Sequence, residues 1–389
     1  MFILKNARLI TMAENMEREF VGDIAVEGSK IKAVGKGLAF EGAVEYDLTG
    51  KTVIPGIVDA HCHRGMFEDG MGFEGDAGNE MSNPSTPELR AIDAINPFDR
   101  CFVEAMQGGV TTCVTGPGSA NVVGGQFAAI KTHGKDVESM VLRFPVGMKA
   151  AFGENPKRVY QGKSIFTRMQ IAATLRKTLT KAKEYERKIE LAGDDKSKLP
   201  EKDLGMEAML PVLRRELPLK VHAHRADDIL TVLRIAREFG IRITLDHCTE
   251  GYLIPELLKQ GVEDTGAGVI IGPLLCDRSK IELRNLSFKA PAILYENGIE
   301  FAMMTDHPVI PEQYLPICAG LSVREGLPEY EALKSITVNA AKIVGIFDRV
   351  GSLEAGKDAD IAVFEGDPLE VMSHSVMNVI NGEICHNAL

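Results

Sequence analysis

Four short apolar runs in this chain end on a histidine or an aspartate, and that repetition restricts the available folds more than any other feature. The run Thr52-Val53-Ile54-Pro55-Gly56-Ile57-Val58-Asp59-Ala60 leads into His61-Cys62-His63. The other three are Val221-His222-Ala223-His224, Leu245-Asp246-His247 and Met304-Thr305-Asp306. Side chains alternate along a strand, so His61 and His63 face the same way. Two neutral nitrogen donors on one strand face make half a metal site, and the later runs offer the remaining donors. The fold must therefore gather several strand ends at one place.

From Gly56 onward, short apolar strands are followed by amphipathic helices, the pattern of βα units around a parallel sheet. Strands are expected at 58–61, 111–114, 146–151, 220–223, 242–247, 268–271 and 300–305, with helices at 96–107, 167–191, 229–239, 254–259, 290–297 and 330–343. The charged stretch 181–203 reads as a surface helix and loop. Both ends of the chain have a different texture, alternating β stretches and turns at 2–9, 23–26, 30–34 and 44–47, then at 360–364 and 377–383. One β unit built from both termini explains this better than two unrelated caps. The expected fold class is α/β, a (β/α)8 TIM-type barrel over residues 56–344 with a small β-sandwich from residues 1–55 and 345–389. Such a barrel needs roughly 250 residues.

A hydrophobic content of 45% over 389 residues excludes disorder. The net charge of −11, with no basic block interleaved with aromatics, argues against a nucleic-acid partner. Charge arrives by Lys5, and no window of about 18 uncharged apolar residues exists, so a soluble cytoplasmic protein with no membrane partner is expected. The seven cysteines are odd in number and widely spread, without a Cys-x-x-Cys pair, which suggests reduced thiols. Cys62 and Cys248 should point away from the flanking histidines and pack against helices.

In a barrel the functional groups lie at the C-terminal ends of strands, where loops share one cavity. The glycine-rich segment Gly116–Gly125 is expected to overhang it as a tight loop, with Gly118 and Ser119 near a substrate. It lacks the Gly-Lys-Ser/Thr ending of a nucleotide loop. His224 shares a strand face with His222 and is a candidate substrate contact. Arg225, Arg158 and Arg168 are candidates to clamp a carboxylate. His307 should face away from Asp306, and His133, His374 and His386 fall away from strand ends.

These motifs resemble the amidohydrolase superfamily. The resemblance is carried by Val53-Ile54-Pro55-Gly56-Ile57-Val58-Asp59-Ala60-His61-Cys62-His63, by Gly108-Gly109-Val110-Thr111-Thr112, and by Gly351-Ser352-Leu353-Glu354-Ala355-Gly356-Lys357-Asp358-Ala359-Asp360. Within the superfamily the chain is most similar to the imidazolonepropionase-like branch. The resemblance implies a metal-dependent hydrolase of carbon–nitrogen bonds other than typical peptide bonds. It makes His61 and His63 ligands of the more buried divalent metal and brings His222 in from a middle strand. His247 becomes a ligand or substrate contact, and Asp306 a ligand and the catalytic acid/base. Two-metal members bridge their ions with a carboxylated lysine or a glutamate. Glu154, in a turn at a strand end, is the favoured bridge here over Lys149, which lies inside its strand; without a bridge the site holds one metal.

Zinc is the expected metal, as one or two ions, although the same donors accept iron, manganese or nickel. The expected substrate is a small polar molecule containing a cyclic amide, an N-acyl amino acid or a dipeptide. Deamination of a heterocyclic amidine is the alternative, disfavoured because His224-Arg225 stands where a deaminase commonly has an acid. A non-catalytic scaffold is a third reading, set against the full complement of histidines. Homo-oligomers are common for enzymes of this build.

Overall fold

The computed structural model describes residues 1–389 and contains two eight-stranded sheets. One takes strands from both ends of the chain: β1 Phe2–Ile10, β2 Glu19–Glu27, β3 Lys30–Gly35, β4 Val44–Asp47 and β5 Thr52–Pro55, later β14 Ile361–Phe364, β15 Ser375–Ile380 and β16 Glu383–Asn387. Their order is β16-β15-β14-β5-β1-β2-β3, with β4 also on β1. The long strand β1 pairs β4 through Phe2–Lys5 and β5 through Arg8–Leu9. Between those stretches Asn6 has a φ of 60° and the register with β2 shifts. That irregularity lets the sheet fork around a core that includes Leu4, Leu9, Ile24, Val53, Ile361 and Val379.

The second sheet is the barrel: β6 Ile57–Cys62, β7 Val110–Thr115, β8 Val123–Lys131, β9 Val141–Ala151, β10 Leu219–Ala223, β11 Ile243–His247, β12 Gly268–Ile271 and β13 Phe301–Met303, hydrogen-bonded in that order. It nearly closes where it matters for function. The Asp306 N–H donates to His61 O at 3.1 Å and the His63 N–H to His307 O at 2.8 Å, joining the end of the last strand to the end of the first. Strands such as β6, β7, β10 and β11 are buried on both faces, which explains their near-continuous apolar sequences.

The barrel departs from eight identical βα units first at β8. Strand β8 runs antiparallel to both β7 and β9, so the expected loop Gly116–Gly125 is only partly a loop. Its first part, 116–122, crosses the top of the barrel and its last residues begin β8. A second departure is that the expected helix 330–343 is two helices, Glu329–Ser335 and Val338–Ile343, interrupted at Thr337, whose hydroxyl turns back onto Leu333 O. The expected helix at 167–191 is Arg168–Ala192, started by Thr167 accepting from the Gln170 N–H. No helix is long and apolar enough to cross a membrane.

Candidate metal centre

Strand registry builds the site in layers. Lys149 of β9 pairs in register with Lys220 of β10, which pairs with Thr244 of β11; one step toward the C-terminal ends, Ala151, His222 and Asp246 stand in the same relation. Parallel alternation points all six into the barrel. Gly147 makes room for this, since a Cβ there would lie 2.6 Å from Lys220 Cδ. Phe127 of β8 forms the floor, 5.5 Å from the Nζ of both lysines and 5.1 Å from the His61 ring.

Two residues reach the site by leaving regular backbone. His247 pairs with Ala223 and would point outward, but its φ of 76° turns the imidazole in, so Asp246 and His247 both face the centre. Asp306 has a φ of 56°. Such conformations cost energy for residues with a Cβ and concentrate at functional sites.

The result is five converging imidazoles. The His222 ring lies 4.2 Å from that of His247 and 4.6 Å from that of His224, and His61 lies 5.1 Å from His63. His222, His224 and His247 can place one ligand atom each within 4.8 Å of one another, as can His61, His247 and Asp306. Asp306 Oδ1 is 3.2 Å from His63 Nε2 and 3.6 Å from His61 Nε2.

The outer nitrogens are held from behind. His63 Nδ1 meets Gly116 O at 2.7 Å and His247 Nδ1 meets Gly272 O at 2.9 Å; a carbonyl only accepts, so both Nδ1 atoms carry protons and both Nε2 lone pairs face inward. His61 Nδ1 lies 2.8 Å from Asp246 Oδ2, and Asp246 is braced by Lys220 Nζ at 3.3 Å and the Thr244 hydroxyl at 2.7 Å. Burial and the Lys149 charge push the His61 imidazole down to about 3, and burial keeps His222, His224 and His247 well below the ordinary range, so all four are neutral donors. Burial disfavours the Asp306 carboxylate, yet the Lys149 charge is among the influences that hold the group below its usual range.

The donor set suits a divalent cation. The Nε2 atoms of His222, His224 and His247 and Asp306 Oδ1 are buried without any hydrogen-bond partner, an arrangement that a bound ion resolves.

Lys149 is wholly buried, with Nζ 3.4 Å from His61 Nε2. Burial lowers its pKa to about 8, Lys220 acting in the same direction against Asp246 and Asp306. Glu154 is not brought to the histidines. The chain turns at Gly153, with a φ of 88°, and Glu154 opens the helix Glu154–Val159, lining a neighbouring cavity with Arg158, Arg168 and Arg225. The expected bridging role for Glu154 finds no support in this placement, because its carboxylate is in neither group of metal-capable donors. Arg225 also sits outside the histidine cavity, paired with Asp227 at 2.9 Å, and Arg168 is paired with Asp228 at 3.0 Å.

Gly118 and Ser119 do line a cavity of about 330 Å³ together with His63, His222 and Asp306. The Gly118 and Ala120 N–H groups are consumed by Gly78 O and Asn79 Oδ1, so that loop offers the site Gly116 O rather than those donors. Cys62 and Cys248 are buried away from the histidines; Cys62 instead groups with Cys113 and Glu312. Three participants escaped sequence reasoning. Lys220 was signalled by its two-residue spacing from His222, and Asp246 by its place beside His247. Glu282, whose Oε1 lies 3.6 Å from His222 Nε2, comes from a distant loop and left no local pattern.

Comparison with known proteins agrees with this geometry, residues 52–384 matching the amidohydrolase family. The chain belongs to that family. Its members are hydrolases of carbon–nitrogen bonds other than typical peptide bonds. The solved structure of an amidohydrolase from Thermotoga maritima MSB8 is 42% identical, covers 100% of both chains and superposes with a TM-score of 0.95. Amidohydrolase tasK of Hapsidospora irregularis is 31% identical over 93% of this chain, which spans 40% of that protein's length. The imidazolonepropionase of Fusobacterium nucleatum is 29% identical over 39% of this chain and 35% of its own.

Proposed function

We propose that this amidohydrolase cleaves an amide-type C–N bond in a small polar substrate, a cyclic amide, an N-acyl amino acid or a dipeptide, using divalent cations, zinc by preference, that Lys149 would help the histidines and Asp306 to hold. The position of Lys149 carries this reading: a buried amine with a lowered pKa lies against His61 and beneath both groups of donors. Its neutral form adds to carbon dioxide and, losing a proton, becomes a carbamate, a bidentate anion able to face both groups. His61, His63 and Asp306 would hold one ion, and His222 and His247 the other, with His224 beside them.

Bound there, divalent cations supply Lewis acidity toward a carbonyl oxygen and toward water. The chain's residues do the rest. Asp306, kept as a carboxylate, accepts the proton of the attacking water and returns it to the leaving nitrogen. Asp246 and the Gly116 and Gly272 carbonyls fix the histidines so that their lone pairs stay aimed. Phe127 and the loop at 116–122 wall off bulk water.

One observation favours deamination as a second reading, the carboxylate of Glu282 beside His222 and His224. That carboxylate is already engaged, accepting from the Glu154 N–H at 2.8 Å and from Lys280 at 3.2 Å, so amide hydrolysis is the stronger. The test is turnover by zinc-loaded protein of a panel of N-acyl amino acids, dipeptides and lactams against heterocyclic amidines. Amine release from the first set is expected; ammonia release from the second alone would overturn the reading.

A further inference from the structure

The histidine cavity has a charge pattern that the hydrolytic chemistry does not require. Apart from the histidines and Asp306, the ionisable side chains lining it are two cations, Arg158 and Lys280. Arg158 stands on the helix Glu154–Val159 and has no carboxylate within 4.0 Å and no hydrogen-bond acceptor, whereas its neighbours Arg168 and Arg225 are both neutralised. Lys280 is held in place, its Nζ 3.3 Å from Asn155 Oδ1 and 3.2 Å from Glu282 Oε1, and Asn155 in turn donates to Ser119 Oγ at 2.7 Å. Ser119, Asn155 and Lys280 are thus one hydrogen-bonded group lining the cavity, and the exposed Arg158 joins them from the helix that carries Asn155. Arg158 also lines the adjoining cavity of about 470 Å³, where Lys157 and Glu154 stand beside it and the paired Arg168 and Arg225 complete the wall. In a chain of net charge −11 this leaves the unpaired Arg158 guanidinium at the mouth of the site, where it attracts anions and repels cations.

We propose that the substrate is an anion, an amide bearing a carboxylate that docks between Arg158 and Lys280 while its carbonyl faces the histidines. This rests on the hydrolase reading above and narrows it to N-acyl amino acids, dipeptides and carboxylated lactams, with Arg158 and Lys280 determining specificity. Arg158 is the larger contributor because its planar fork of donors is unspent and matches a carboxylate bidentately. The adjoining cavity gives a longer substituent room to continue past it.

The experiment is calorimetric binding of matched pairs, N-acetyl amino acids and their neutral carboxamides, to full-length zinc-loaded wild type, Arg158→Gln, Arg158→Lys and Lys280→Gln, with turnover of the same pairs in parallel. In wild type at least one carboxylate should bind roughly tenfold or more tighter than its carboxamide, the size expected of charge-assisted hydrogen bonds. That preference should vanish in Arg158→Gln, return in part in Arg158→Lys, shrink in Lys280→Gln, and appear in KM rather than kcat. No preference in wild type, or one that survives Arg158→Gln because the carboxylate seeks the metal itself, overturns the proposal. Absence of turnover with every pair would sink the hydrolase reading, and the binding comparison would still decide the anion site.

Discussion

Two regions of this molecule bury charge, and they do so in opposite ways. At the junction of barrel and sandwich, Lys131 of β8 lies 2.5 Å from Asp360 and 3.1 Å from Asp358, and Asp358 also receives Lys30 at 2.7 Å and a two-pronged Arg349. Asp360 Oδ1 accepts the Asn381 N–H at 2.9 Å. Every charge there has its partner. In the histidine cluster, an equally buried set leaves its inward-facing atoms without one. Folding alone accounts for the first arrangement, because an unpaired buried charge costs more than it can return. The second makes sense only if something else completes it, and that contrast, more than the residue types, separates a structural cluster from a functional one.

The comparison is sharpest in variants. The largest effect belongs to Asp306→Asn, which removes the proton acceptor and should lower kcat by ~10²–10⁴-fold with little change in folding stability, measured by steady-state kinetics beside urea unfolding. Lys131→Met reverses the pattern. Leaving Asp360 buried without its cation should cost about 3–5 kcal/mol of stability, whereas His222→Leu in metal-free protein should change it by less than about 1 kcal/mol, because no bond is lost. Equal destabilisation by the two would break the distinction.

The junction also predicts acid behaviour. Although burial disfavours the Asp358 carboxylate, Arg349, Lys131 and Lys30 lower its pKa from 3.8 to about 2. A depressed folded pKa contributes stability that is complete above the unfolded value and is lost as pH falls through the folded one. The unfolding midpoint should therefore drop between about pH 4 and pH 2 by this term, and less in Asp358→Asn. The smallest effect is Asp246→Asn, which loosens the brace behind His61 and should weaken metal affinity about 10–100-fold, read by competition with a chromophoric chelator.

How much of this was legible in sequence follows physical lines. Strand ends carrying His61, His63, His222, His247 and Asp306 were readable because apolar runs and period-two spacing are local. Strand β8 was not, since Gly124 and Gly125 suppress a strand signal and a strand buried on both faces shows no alternation. The proposal moves from Glu154 to Lys149 on the same ground: a lysine within a strand looks structural until registry places it beside Lys220 and beneath His222. The turn at Gly153 that carries Glu154 away depends on a positive φ that sequence alone does not announce. Glu282 and Lys280, distant in the chain from the histidines they approach, are tertiary facts.

The central proposal is that Lys149, and not Glu154, would help hold two metal ions, and metal content per chain tests it most directly. Protein purified without chelator, as wild type, Lys149→Met and Glu154→Ala, should hold close to two equivalents in the first and third and no more than about one in the second. Two equivalents retained by Lys149→Met, or one lost by Glu154→Ala, would contradict the account.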